Sequence, residues 1–160
     1  MKTAGDIIAA NHQEVWTISP AATVFEALKL MSDKNIGALP VQEKGKKVAG
    51  IVSERDYARK VVLLGKTSRD TLVEAVMTPA SRMVTIQPDT PLDTCMALMT
   101  LHNIRHLPVF AGERLVGIIS NRDVVQAVVQ ERSRTINNLM DVSASLFTQS
   151  FDDDIAGGKG

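Results

Sequence analysis

The stretch with the most chemistry in this chain is residues 103–123, NIRHLPVFAGERLVGIISNRD. Two cation-capable side chains, Arg105 and His106, stand near its start; Ser120 and Asp123 stand at its end. Between them lie two short apolar strands, residues 107–110 and 115–120, around the polar turn Ala111-Gly112-Glu113. Ser120 and Asp123 then flank the first turn of a predicted helix. The cations suit a phosphate and the strands a flat apolar ring, while the carboxylate has acceptor capacity for both hydroxyls of a sugar diol. A serine at a helix start adds a hydroxyl beside backbone N–H groups that favour an anion. Arg105 and Arg122 can pair phosphates bidentately. These are the parts of a nucleotide site.

The same stretch occurs twice. Thr17-Ile18-x-Pro20 recurs as Thr85-Ile86-x-Pro88, and Leu39-Pro40-Val41 as Leu107-Pro108-Val109, both at an offset of 68 (85 − 17 and 107 − 39). Gly50-Ile51-Val52-Ser53-x-Arg55-Asp56 recurs as Gly117-Ile118-Ile119-Ser120-x-Arg122-Asp123 at an offset of 67 (117 − 50). One residue is therefore missing from the second strand–strand turn, where deletions are tolerated. The lead-ins also correspond, Gly5-Asp6-Ile7-Ile8 to Val73-Glu74-Ala75-Val76. Two units cover residues 3–64 and 71–132.

Patterning within each unit predicts strand, helix, strand, strand, helix. In the first unit the spacing predicts a strand over 15–18, a helix capped by Thr23 and running to 34, strands over 38–42 and 47–53, and a helix over 54–64. In the second, Thr90 is the expected cap with Pro91 at the first helical position, and the closing helix runs over 121–132. Residues 65–69 form a connector and 70–77 a short helix. Residues 135–160 form an extension, with 136–142 a further helix or a partner-binding arm and 151–160 a flexible acidic tail. One unit alone is too small to bury its sheet, so an α+β fold of two units packed about a pseudo-two-fold axis is expected.

Composition narrows the function classes. Lys plus Arg and Asp plus Glu are 18 each, so no global charge draws the chain to nucleic acid or an anionic membrane. No apolar run approaches a membrane span or a signal peptide, and one cysteine cannot form an internal disulfide, which makes the cytoplasm the default location. Aromatic residues are only 4%, so the core must be aliphatic. Cys95 has a core-like setting and reads as a buried thiol; the three histidines show no metal-ligand spacing.

The paired apolar-Pro-Val strands and Gly-x-x-Ser-x-x-Asp endings closely resemble tandem cystathionine-β-synthase (CBS) domains, a CBS pair or Bateman module. The resemblance covers residues 3–132 and implies a regulatory, non-enzymatic adenosine-ligand sensor in signal transduction. Its ligands would be AMP, ADP, ATP, NAD(H) or S-adenosylmethionine. It also implies a homodimer, and the chain length suggests a stand-alone module. In the family each cleft joins the ring pocket of one unit to the Ser-x-x-Asp of the other. Carried over, the first cleft would join Ala22, Ala27, Ile36 and Gly37 to Ser120, Arg122 and Asp123. The second would join Thr90, Ile104 and Arg105 to Ser53, Arg55 and Asp56. His106 falls where family members often reach ligand phosphates. Gly37-Ala38 stands where the second unit has Arg105-His106, so the clefts are expected to be chemically unequal.

Simpler readings exist for the same residues. Ser53 and Ser120 are also good N-caps, with Asp56 and Asp123 as the favoured acid three residues on. Arg105 and His106 also suit a solvated strand entrance, and Arg55 and Arg122 exposed helix starts. A module with vestigial pockets would instead act through an unknown protein target. An enzyme acting on a nucleotide would need a general base or metal beside the phosphate, and no Walker loop, nucleophile elbow or dinucleotide glycine motif is present.

Overall fold

The computed structural model describes the backbone of residues 1–12 and 14–156, with side chains through residue 145. Helices α1 (Ala4–Asn11) and α2 (Val24–Lys34) precede strands β1 (Ala38–Val41) and β2 (Gly50–Ser53), and α3 (Glu54–Lys60) closes the first repeat. Strand β3 (Thr78–Pro79) leads into α4 (Leu92–Leu101), β4 (His106–Ala111), β5 (Arg114–Ser120) and α5 (Asn121–Ala156). The antiparallel hairpins β1–β2 and β4–β5 form the centre of each repeat, and β3 extends the first into a three-stranded sheet.

Each repeat is built by the same local chemistry. Helix α2 starts at a reciprocal capping box in which the Thr23 N–H donates to Glu26 Oε2 at 2.7 Å and the Glu26 N–H to Thr23 Oγ1 at 3.2 Å. Asn35 and Asn103, at φ 52° and 50°, turn the chain out of α2 and α4. Beyond them the Ile36 and Ile104 N–H groups return to the carbonyls of Met31 and Met99, each at 3.0 Å. A further repeated bond ties strand entrance to closing helix. The Glu54 N–H donates to the Gly37 carbonyl at 3.1 Å, and the Asn121 N–H to the Arg105 carbonyl at 2.9 Å.

The lead-ins are exchanged between the repeats. At the start of α1 the Ala4 and Gly5 N–H groups donate to the carbonyls of Thr90 and Pro88 in the second repeat, at 2.9 and 2.7 Å. The Val73 and Glu74 N–H groups donate to Ala22 and Pro20 in the first repeat, at 2.8 and 3.0 Å. Two cores result. One packs Val73 and Val76 against Val24, Met31, Leu39 and Val52; the other packs Ala4 and Ile7 against Met99, Leu107, Ile119 and Val124. Cys95 lies in the second, buried as expected, and burial pushes its thiol pKa up. Ala4 corresponds to Val73 by equivalent hydrogen bonds and Ile7 to Val76 by burial, an offset of 69 (73 − 4 and 76 − 7). This moves the lead-in correspondence one residue from the expected Gly5–Val73 match.

Several expected elements are shorter than their patterns. The strand over 15–18 reduces to a single parallel bridge, Ile18 to Val41, matched by Ile86 to Val109. β2 covers only 50–53 of 47–53, since the turn before it stays irregular. The helix over 54–64 breaks at Val61 into α3 and one 3₁₀ turn, Val62–Leu64. The short helix over 70–77 is a single 3₁₀ turn, Val73–Ala75, because its N–H groups serve the other repeat. Pro91, rather than Thr90, is the N-cap of α4; the Thr90 hydroxyl instead accepts from the Gln87 N–H at 3.1 Å. The closing helix does not stop at 132. α5 continues unbroken to Ala156, taking in 136–142 and the first part of the expected acidic tail, while 157–160 lie outside the described residues.

The exchange makes the lead-in part of the opposite core. Ile7→Ala should therefore cost about 2–5 kcal/mol in chemical denaturation, the range for a buried isoleucine. A change near zero would show that α1 is only an appended segment.

Candidate functional site

One cleft, of about 620 Å³, lies where the strand entrance of the first repeat faces the Ser-x-x-Asp of the second. That volume is in the usual range for small-molecule sites. Ile36 and Gly37 from the end of α2 meet Ser120, Arg122 and Asp123 at the start of α5, as the resemblance implied. Ile8 and Asn11 come from the exchanged helix α1, and Trp16 and Lys34 from the first repeat. The Lys34 ammonium sits 3.7 Å from the centroid of the Trp16 ring, so a cation and a flat aromatic face share one wall. Pro40 and Ile118 add apolar surface.

The simple capping role of Ser120 and Asp123 is present. Asp123 Oδ2 accepts from the Ser120 N–H and hydroxyl, both at 2.7 Å, and the Asp123 N–H donates to Ser120 Oγ at 3.2 Å. Capping uses only one carboxylate oxygen. Among the described residues Asp123 Oδ1 has no hydrogen-bond or ion-pair partner and no buried side-chain oxygen or nitrogen is left unpaired, so Oδ1 is accessible. In the first repeat the equivalent Asp56 also caps through Oδ2, but its Oδ1 is ion-paired with Lys60 Nζ at 2.8 Å. Lys60 corresponds to Ala127 (127 − 60 = 67). A single side-chain difference thus commits one acid and leaves the other accessible.

The two arginines divide in the same way. Arg55 Nη1 donates to the carbonyl of Asn103, across the second interface between the repeats. Arg122 makes no such bond, and both it and Asn35, the counterpart of Asn103, line the first cleft. The other residues expected around the second cleft are also engaged within the fold. The Thr90 carbonyl accepts from Ala4 and its hydroxyl from Gln87, and Ile104 packs against the second core. Arg105 needs a correction: with its strand entrance bonded to Asn121, it lines the first cleft rather than the second. Ala22 and Ala27 are also corrected. Ala27 is buried in the first core and Ala22 packs against it, with its carbonyl taken by Val73; neither lines the cleft.

His106 completes the first cleft. Its Cα pairs with that of Ser120 across β4–β5, and its Nε2 lies 3.2 Å from where a β-carbon on Gly37 would stand. Any side chain at residue 37 would crowd the imidazole, which explains glycine opposite histidine. Burial lowers the His106 pKa, Arg105 and Arg55 push the same way, and Asp123 opposes them. At neutral pH the ring is a neutral donor and acceptor flanked by the guanidinium of Arg105. Trp16, Lys34, Asn11 and Gln126 were not expected in the site. The lysine–tryptophan pair had no local signal, and Asn11 enters only through the exchange of lead-ins.

A family model for the CBS domain matches residues 4–63 and 73–130. The chain belongs to the CBS-domain family. It is 40% identical to the mitochondrial CBS domain-containing protein CBSX3 of Arabidopsis thaliana over 73% of this chain and 58% of that protein. The chain thus spans little more than half the length of that relative. A solved Burkholderia ambifaria structure, assigned to signal transduction and carrying CBS domains, is 44% identical. It has a TM-score of 0.75 over 81% of this chain and 95% of its own. A hexameric CBS-CP12 protein from bloom-forming cyanobacteria is 32% identical, with a TM-score of 0.67 over 77% of this chain and 66% of its own. The CBS pair is a regulatory module, and it is built here with one chemically uncommitted cleft.

Because folding lowers the His106 pKa, the unfolded chain binds this proton more readily. His106 therefore costs stability as pH falls below its ordinary value of about 6.5. Between pH 7.5 and 5.0 the wild type should lose more stability than His106→Gln, measured by urea denaturation. Equal losses would show that this ring does not carry the effect.

Proposed function

We propose that the CBS pair is a sensor for an adenosine nucleotide bound in the first cleft. The observation that carries this reading is the accessible second oxygen of Asp123 beside the uncommitted Arg122. Asp123 Oδ1 accepts from a ribose hydroxyl while Oδ2 stays in the cap. Arg105 and Arg122 stand where they can pair phosphate oxygens, with the neutral His106 as a further donor. Ile36, Pro40 and Ile118 give the base an apolar slot. Ligand chemistry of this kind fits AMP, ADP, ATP or NAD(H).

The cleft is walled by both repeats, so a bound nucleotide bridges them. It shifts their relative orientation only by as much as its affinity differs between the two arrangements. Self-association accords with the hexameric assembly of the cyanobacterial CBS-CP12 relative. Readout by a protein target follows from the same coupling, since a shift in the repeats moves α5.

The test is a thermal-shift panel of AMP, ADP, ATP, NAD, NADH, S-adenosylmethionine and GTP. A ligand at about 100 times its dissociation constant adds roughly 2.7 kcal/mol. Asp123→Ala should weaken the responding ligand about 10- to 100-fold, the loss expected for a charge-assisted hydrogen bond. Asp56→Ala should leave affinity unchanged while lowering stability, because Asp56 holds a cap and Lys60. Equal loss in both variants would refute the single-cleft assignment. A flat panel, with no nucleotide extracted from denatured protein, would refute the sensor.

A further inference from the structure

Glu54 lines the first cleft although it belongs neither to a strand entrance nor to the Ser-x-x-Asp of the second repeat. It is the first residue of α3, and its N–H, bonded to the Gly37 carbonyl, fixes it beside the strand entrance of its own repeat. The residue is exposed, and its carboxylate has no hydrogen-bond or ion-pair partner among the described residues. Because Gly37 has no side chain, that carboxylate reaches the space above it. Glu54 Oε2 lies 3.5 Å, and His106 Nε2 3.2 Å, from where a β-carbon on residue 37 would stand. Carboxylate and imidazole therefore border the same space from opposite repeats.

The matching corner of the second repeat carries different chemistry. Asn121, the counterpart of Glu54 (121 − 54 = 67), donates its N–H to the Arg105 carbonyl and lines the same cleft. One corner thus pairs an arginine with a neutral amide, and the other pairs a glycine with a carboxylate. Arg105 and Arg122, with His106, form a wall that attracts phosphate, and Glu54 stands on a wall that repels it.

Over the whole cleft the charges cancel. Lys34, Arg105 and Arg122 supply three cations, and Glu14, Glu54 and Asp123 three carboxylates. Lys34 is held over the Trp16 ring, so two arginines remain beside His106. A terminal phosphate carries a charge of about −1.5 to −2 at neutral pH, and every further phosphate in the chain adds to it. The cleft holds no surplus of cations to meet that addition.

We propose that Glu54 is a specificity-determining residue that limits the phosphate charge the first cleft accepts, favouring a nucleoside monophosphate over the triphosphate. This rests on the nucleotide reading above and adds to it the group that discriminates by phosphate number. A single phosphate is held at the arginine wall. A longer chain runs toward the Glu54 carboxylate, where like charges in a partly apolar cleft repel more strongly than in water.

Isothermal titration calorimetry of the intact chain with AMP, ADP and ATP, in EDTA, tests this. The wild type should bind AMP most tightly and ATP most weakly. Glu54→Gln keeps the size and polarity of the side chain, and it should narrow the preference for AMP over ATP by roughly 5-fold or more, the scale of one charge pair in a partly solvated site. Residue 54 is exposed and the Asp56 cap of α3 is untouched, so the thermal unfolding transition should be retained. A merely structural role would move all three affinities together and leave their ratios fixed. A wild type that binds ATP as tightly as AMP, or ratios unchanged in Glu54→Gln, would overturn the proposal and leave the sensor standing. Binding of none of the three would overturn it as well, and the sensor falls with it only if the rest of the thermal-shift panel is also flat.

Discussion

The reciprocal burial of the lead-ins is the constraint on which the rest depends. Neither repeat completes its own core: Val73 and Val76 serve the first, Ala4 and Ile7 the second. Because each exchange is fixed by a pair of backbone hydrogen bonds as well as by apolar burial, the repeats hold a defined register against each other. A small α+β unit buries too little surface to stand alone, and the exchange adds buried apolar surface to each core without lengthening either unit. Residues 37 and 106 face each other because of that register, and a ligand cleft arises between the repeats rather than inside one of them.

Symmetry of the backbone makes the asymmetry of the side chains informative. Both Ser-x-x-Asp motifs are capping boxes of the kind that also starts α1 at Thr3 and Asp6, so capping alone distinguishes nothing. What differs is how the remaining valences are used. Lys60 takes the second oxygen of Asp56 and also donates to the Val76 carbonyl at 2.6 Å, whereas Ala127 takes nothing from Asp123. Arg55 is spent on Asn103, whereas Arg122 borders solvent in the cleft. Gly37 yields space that His106 uses. A duplicated scaffold has become one interface that holds itself together and one that can hold something else. Free carboxylate and guanidinium groups in a partly apolar cleft interact with a ligand more strongly than in water, because the local dielectric is lower.

The long closing helix connects the cleft to the outside of the molecule. Ser120, Arg122 and Asp123 sit at or just before its N-terminus, Val124 and Ala127 anchor it in the second core, and residues 132–145 are exposed. A rigid helix transmits a small rotation at its base into a larger displacement at its far end. The chemistry at the cleft and the exposed residues 132–145 therefore belong to one helix.

The sequence alone determined the duplication, the α+β class and the caps at Thr23, Ser53 and Ser120; the pairing of Ile36 and Gly37 with Ser120, Arg122 and Asp123 came from the family resemblance. The duplication and the caps are repeated or local features, and spacing records them directly. It also showed that the clefts differ, from Gly37 against Arg105. Tertiary structure decided which cleft is uncommitted, because that depends on Lys60 reaching Asp56 and Arg55 reaching Asn103, contacts between groups with no shared pattern. It placed Arg105 in the first cleft and removed Ala22 and Ala27 from it, since strand entrances lie beside their own closing helix. It shortened the strand over 15–18 to one bridge, because only Ile18 reaches the hairpin edge. The continuous run of α5 was also hidden, since the signals weaken after residue 134 and 136–142 read equally as a separate helix or an arm. Short-range pattern names the parts; which side chains remain available to a ligand is decided by what the folded chain has already bonded to itself.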